Sequence, residues 1–214
     1  MDLVARRLVV TVVLALLALS PRQANPQDWT ATVDRVRSAF VRFEATLPDV
    51  TDHGVCTASR LSQGRFLTAA HCLEPNATYT IGKWSATVVK TTAMLALLTT
   101  NEPTATASVS LRHSAPVGLP VLIAGFAYDV GLKFTFGWVS AYGTWPNTPD
   151  AIVFVHVPIF PGYSGAAVLD AEGRLIAIAQ ANWAFPGSSM AIAVPASAIQ
   201  TFLVPPPVLK LDQK

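Results

Sequence analysis

Two short segments of this chain carry residues that could transfer an acyl group. The first is Pro161-Gly162-Tyr163-Ser164-Gly165-Ala166-Ala167-Val168-Leu169, a serine between two glycines followed by an apolar run. Acyl transfer needs a hydroxyl at the tip of a tight turn, with backbone N–H groups aimed where an oxyanion forms. Glycine at 162 admits an unusual dihedral and leaves its N–H open to approach, and glycine at 165 keeps space beside the hydroxyl. Alone, Gly-x-Ser-Gly is also the composition of an ordinary hairpin turn. The second segment is Phe66-Leu67-Thr68-Ala69-Ala70-His71-Cys72, an apolar strand ending in small residues and one histidine. The small residues let a helical turn pack tightly, so that His71 can face inward as a general base.

Thr-Ala-Ala-His-Cys followed later by Gly-Tyr-Ser-Gly resembles the trypsin-like serine proteases, over roughly residues 39–203. Around the serine the chain is most similar to the compact HtrA-type branch. Gly125-Phe126, Gly137-Trp138-Val139-Ser140-Ala141, Glu172-Gly173-Arg174-Leu175-Ile176-Ala177-Ile178 and Met190-Ala191-Ile192-Ala193-Val194-Pro195 fall in the expected order. The resemblance implies that Ser164 is the nucleophile, that His71 is general base and then general acid, and that the N–H groups of Gly162 and Ser164 form the oxyanion hole. It implies no cofactor and no metal.

The family's third member is an aspartate in the pattern Asp-Leu-Ala-Leu-Leu, whereas this chain reads Met94-Leu95-Ala96-Leu97-Leu98. A thioether is a weak, uncharged acceptor. In trypsin-type enzymes, losing the aspartate's charge lowers turnover by about 10⁴-fold. At about 1.36 kcal/mol per decade, this is roughly 5 kcal/mol of barrier. Substitute orienters for His71 are a hydroxyl of Thr91 or Thr92, or the amide of Gln180, which also reads as an ordinary pocket-wall residue. Asp49, Asp52, Glu74 and Glu102 lack the strand context. Tyr163 replaces the residue that, as aspartate in pancreatic-type enzymes, pairs with a freed N-terminus, so that activation switch is not expected. No acid lies near His156-Val157-Pro158, the expected pocket floor, and Trp183 and Phe185 follow the pocket-lining strand. A small or medium apolar side chain is therefore expected there rather than Arg or Lys.

The elements that must position these residues read as an all-β fold. Short apolar runs at 54–61, 65–68, 78–81, 85–90 and 94–99 form a first set, with a hairpin turn at Gln63-Gly64. A second set covers 119–125, 132–142, 151–157, 166–169, 175–181 and 190–194. Many short strands mean a barrel or sandwich. The resemblance turns this into two six-stranded antiparallel β-barrels, about 39–100 and 117–194, joined by a polar linker at 101–116. Trp29, Val33 and Val36 have helical spacing, with Asp28 as a candidate N-cap, so a short helix is expected over 25–38. Beyond it, Val41-Arg42-Phe43-Glu44-Ala45 alternates like a strand while Phe40, Phe43 and Leu47 continue the helical spacing; the resemblance favours a strand from about Ser38. Residues 195–203 resemble the fold's closing helix, and a Pro-rich tail occupies 204–214.

The N-terminus carries an address. Arg6-Arg7 precede an apolar or small run over 8–19, the length of a signal-peptide core and short for a bilayer. The site for cleavage is poor, with Arg22 two residues before Ala24, so residues 1–24 read as a signal peptide or an uncleaved anchor. The chain has 15 Lys and Arg against 13 Asp and Glu; losing Arg6, Arg7, Arg22 and Asp2 with residues 1–24 leaves 12 of each. No basic patch is implied, and nucleic acid is not an expected partner. In an exported chain Cys56 and Cys72 read as one disulfide, with two buried thiols as the alternative. The resemblance favours the bridge. His53, His113 and His156 are scattered without ligand spacing and read as structural.

The expectation is thus a secreted or periplasmic serine endopeptidase, impaired at Met94, whose partner is a polypeptide substrate. The other reading is an inactive pseudoprotease that binds a peptide or protein.

Overall fold

The computed structural model describes residues 28–48, 54–62, 64–102, 107–146, 148–182 and 190–204. The expectations for residues 1–24, Asp49, Asp52, His53, Gln63, Trp183, Phe185 and the Pro-rich segment lie outside these residues.

Twelve strands among the described residues close into two six-stranded antiparallel barrels. The first holds β1 (Phe40–Thr46), β2 (Gly54–Ser62), β3 (Arg65–Ala69), β4 (Thr78–Ile81), β5 (Trp84–Thr91) and β6 (Leu95–Thr100), in the order β1-β2-β3-β6-β5-β4. The second holds β7 (Pro120–Phe126), β8 (Leu132–Thr144), β9 (Ala151–His156), β10 (Ala167–Leu169), β11 (Leu175–Asn182) and β12 (Met190–Pro195), in the order β10-β11-β12-β9-β8-β7. Closure pairs both edges of every strand and removes exposed sheet edges. Each barrel is filled by its inward-facing residues: Phe43, Ala58, Phe66, Ile81 and Leu98 in the first, Val121, Ile123, Val139, Val155 and Tyr163 in the second.

The ambiguous segment after the N-terminal helix resolves through pairing. Helix α1 (Thr30–Val36) starts where the Asp28 carboxylate accepts the Thr30 N–H at 2.9 Å. A 3₁₀ turn, Arg37–Ala39, then leads into β1. Phe43 sits opposite both Cys56 and Ile81, so hydrogen bonding on two edges outweighs a continued helix. Trp29 packs against Phe136, with ring centroids 5.6 Å apart. Helix α2 (Ala196–Leu203) buries Ala196, Ile199 and Phe202.

The described part of the inter-barrel segment is a packed element rather than a polar tether. Val109 is buried and its N–H donates to the Arg60 carbonyl at 2.9 Å. Arg112 N–H donates to the Leu175 carbonyl at 2.8 Å, and the Leu175 N–H to that of Ser110 at 2.6 Å. Ion pairs pin the segment at both ends, Arg60–Glu102 at 2.6 Å and Arg112–Asp170 at 2.9 Å. Glu102 is thereby committed to Arg60, far from a role beside His71.

Candidate active site

Ser164 is displayed by a turn that only glycines permit. Gly162 has φ +98°, and a Cβ there would lie 2.1 Å from the Phe126 carbonyl oxygen. Gly165 has φ +83°, and a Cβ there would lie 2.2 Å from both the Thr57 carbonyl and the Thr68 hydroxyl. The turn is therefore pressed directly against the first barrel. Tyr163 points the other way, fully buried in the second barrel, its hydroxyl donating to the Lys133 carbonyl at 3.0 Å.

His71 arrives from the first barrel. β3 ends in a 3₁₀ turn, Ala70–Cys72, whose Ala70 N–H donates to the Met94 carbonyl at 2.9 Å. The expected Cys56–Cys72 disulfide is formed and ties this turn to β2. His71 Nε2 lies 2.8 Å from Ser164 Oγ across the barrel interface. Partial burial holds the imidazole pKa below the ordinary histidine value.

The N–H groups of Gly162 and Ser164 have no acceptor among the described residues. The Pro161 carbonyl, which precedes Gly162, is occupied by the Tyr128 N–H at 2.9 Å. Two backbone donors beside the serine thus lack an acceptor among the described residues.

The family model of the trypsin-like peptidase domain matches residues 53–178, more than half of the chain. This chain belongs to the trypsin-like peptidase family. Among curated proteins none matches it. Of solved structures, the HtrA-type protease AlgW with a tripeptide is similar at 23% identity and TM-score 0.72, over 81% of this chain and 62% of that one. The serine endoprotease from Yersinia pestis is similar at 20% identity and TM-score 0.71, over 83% and 65%. An inactive form of a protein from M. tuberculosis H37Rv is similar at 16% identity and TM-score 0.69, over 86% and 93%. The chain thus spans about two thirds or less of the first two, and at these identities the likeness is one of fold.

Against this trypsin-like frame the third position is unusual. Met94, half-buried, directly precedes β6, and no acceptor bonds His71 Nδ1 among the described residues. None of the three substitutes named from the sequence bonds it. The Gln180 amide donates to the Ile178 carbonyl at 3.5 Å. The Thr92 hydroxyl accepts the N–H groups of Met94 and Leu95 at 3.3 and 3.1 Å. Thr91 is exposed at the end of β5. Gln180 does act through its backbone, because Ser164 Oγ donates to its carbonyl at 3.2 Å. That second bond matters chemically. A hydroxyl has one proton, and if it serves Gln180 then His71 donates from Nε2, the tautomer that cannot accept the serine proton.

Sequence reasoning missed three buried hydroxyls on β2 and β3. Thr57 Oγ1 donates to the Gly162 carbonyl at 2.7 Å and accepts the Phe126 N–H at 3.1 Å. Thr57 N–H donates to the Ser164 carbonyl at 2.8 Å. Ser59 Oγ donates to the Gly165 carbonyl at 3.0 Å, and Thr68 Oγ1 to the Thr57 carbonyl at 2.9 Å. All three residues are fully buried, where an unpaired hydroxyl is costly. The only available signal was polarity: Thr57 and Ser59 flank Ala58 in a strand that otherwise reads as core.

Of the remaining histidines, His156 stacks on Trp138 at 4.2 Å and His113 meets the Gln200 side chain at 3.2 Å. Among the described residues no group of acidic, His or Cys side chains could hold a metal ion, and no helix is long and apolar enough to cross a membrane.

Proposed function

We propose that the chain is an exported serine endopeptidase of the HtrA-type branch, slow at neutral pH because position 94 holds methionine. One observation carries this reading: Ser164 Oγ lies 2.8 Å from His71 Nε2, beside the free N–H groups of Gly162 and Ser164. In such a site Ser164 Oγ attacks the scissile carbonyl while its proton passes to His71 Nε2. The two N–H groups take the negative charge of the tetrahedral intermediate. His71 then returns the proton to the leaving amine, and water repeats the sequence on the acyl-enzyme. The substrate is a polypeptide, in keeping with the tripeptide held by AlgW. The residue beside the scissile bond is small or medium and apolar, since no acid stands near His156-Val157-Pro158, the expected pocket floor. The basic start and apolar run over 8–19 support export to the periplasm or the medium.

The uncharged Met94 position favours a second reading, a pseudoprotease that binds a peptide or protein without turning it over. Labelling by a fluorophosphonate probe separates the two. The enzyme reading expects covalent labelling of the wild type and none of Ser164→Ala. A correctly folded wild type that resists the probe supports the binding module instead.

A further inference from the structure

We propose that Asp150, delivered by the loop between β8 and β9, is the positioning residue for His71 in place of the aspartate missing at position 94. The proposal rests on reading the site as a serine hydrolase. It starts from a cavity of about 310 Å³ beside the imidazole, whose wall includes His71, Met94, Trp145, Asp150 and Gln180. Among the described residues of that wall Asp150 is the one acid and His71 the one base. Asp150 also lines the neighbouring cavity, of about 310 Å³, together with Lys90, Thr92, Met94 and Leu95. It thus shares both cavities with Met94, and reaches them from a different loop.

The loop is built to hold Asp150 there. Thr144 and Ala151 pair at the base of the β8–β9 hairpin. Trp145 N–H donates to the Asp150 carbonyl at 2.8 Å, and Asp150 N–H to the Thr148 hydroxyl at 3.2 Å. Its backbone is spent, while its carboxylate has no hydrogen bond or ion pair among the described residues. Other acids of this half of the molecule are committed: Asp129 to Arg42, Asp170 to Arg112 and Arg174, Glu172 to Arg174. Lys90, the cation facing the neighbouring cavity, is also occupied, its ammonium donating to the Phe202 carbonyl at 2.6 Å. Among the described residues, β11 contributes Gln180 and Ala181 to this cavity, the β5–β6 turn Ala93 and Met94, and the β8–β9 loop its one charge. A carboxylate in this cavity bonds Nδ1–H directly or through one water, for which the volume suffices. Either way it selects the tautomer with Nε2 free to take the Ser164 proton and stabilises the imidazolium that follows.

The test compares wild type, Asp150→Asn, Asp150→Glu, Met94→Asp and the double variant Met94→Asp/Asp150→Asn, all as the full chain. Two readouts are taken: the rate of fluorophosphonate labelling against pH, and the titration of the His71 ring protons by NMR. Asp150→Asn is expected to slow labelling at neutral pH by about tenfold or more, part of the roughly 10⁴-fold that a triad aspartate supplies. It should also move the His71 titration to lower pH, because a neighbouring negative charge is lost. Asp150→Glu should recover part of both effects. Met94→Asp should raise labelling more in the Asp150→Asn background than in the wild type, the non-additivity of two groups serving one ring. Unchanged labelling and an unchanged His71 titration in Asp150→Asn overturn the proposal. So does a defect confined to peptides with basic residues, since Asp150 would then contact substrate. If no variant labels, the hydrolase reading fails, and the His71 titration alone still decides whether Asp150 faces the ring.

Discussion

The hydroxyl of Thr57 in one barrel donates to the carbonyl of Gly162 in the other, at 2.7 Å and fully buried. The same oxygen accepts the Phe126 N–H at 3.1 Å. One side chain therefore fixes the Gly162–Tyr163 peptide of the nucleophile's turn and the end of β7. Thr57→Val keeps the shape but leaves a carbonyl and an N–H unpaired in the interface. A loss of about 1–3 kcal/mol of stability is expected for such unsatisfied groups. Labelling by a fluorophosphonate should fall at least tenfold, because the Gly162 N–H lies in the adjoining peptide, across the Gly162 Cα that this bond holds. Thr57→Ser should restore most of both. Urea denaturation and labelling rates on the three proteins check this, and a Thr57→Val protein of full activity would refute the link between interface and oxyanion hole.

Restoring the triad charge is the second expectation. Met94→Asp should raise ester or peptide hydrolysis at least tenfold near pH 7, a part of the roughly 10⁴-fold the charge supplies in trypsin-type enzymes. The gain should shrink at alkaline pH, where hydroxide takes over part of the proton transfer. An unpaired buried charge is costly, and here the half-buried position opens onto a cavity whose wall also carries Thr148 and Gln180. Full pH profiles of both proteins decide it; equal rates near pH 7 speak against a limiting third member.

Acid dependence follows from His71. Burial lowers its pKa, so the ring stays neutral, and able to accept a proton, to more acidic pH than a free histidine. The acid limb of the labelling rate should therefore have its midpoint below the ordinary 6.5. Stability has the same sign. The folded state binds fewer protons than the unfolded one, so this contribution is present above the unfolded pKa and lost as pH falls through the folded one. An acid limb above the ordinary histidine value contradicts this.

Reduction of the disulfide should be felt at the histidine. Cys56 and Cys72 are separated by 16 residues, a loop whose closure is worth about 3 kcal/mol on the chain-entropy model. A Cys56→Ser/Cys72→Ser protein is expected to lose about that much stability. Labelling should drop as well, because Cys72 adjoins His71. Denaturation curves of oxidised and substituted protein measure the first effect. Labelling under conditions where both remain folded measures the second.

What the chain by itself determined is local. The glycines at 162 and 165 can be read because a turn with φ near +90° beside a foreign carbonyl admits no Cβ. His71 and Ser164 can be read because their chemistry demands those residue types in short contexts that pattern recognises. The strand rhythm led to a barrel or sandwich, the resemblance made it two barrels, and the pairing closed both. Met94 was legible as a missing charge for the same reason, a broken local pattern. Tertiary structure decided what depends on distance in the chain. Thr57 meets Gly162 across a sequence separation of 105, and nothing near Thr57 marks it apart from its polarity. Whether Gln180 turns its amide to His71 or to Ile178 is a matter of one rotamer, set by packing around the cavity. Asp150 carries no signal at all in its own segment. It gains meaning only from the cavity that it lines together with His71 and Met94, which the fold gathers from three separate segments.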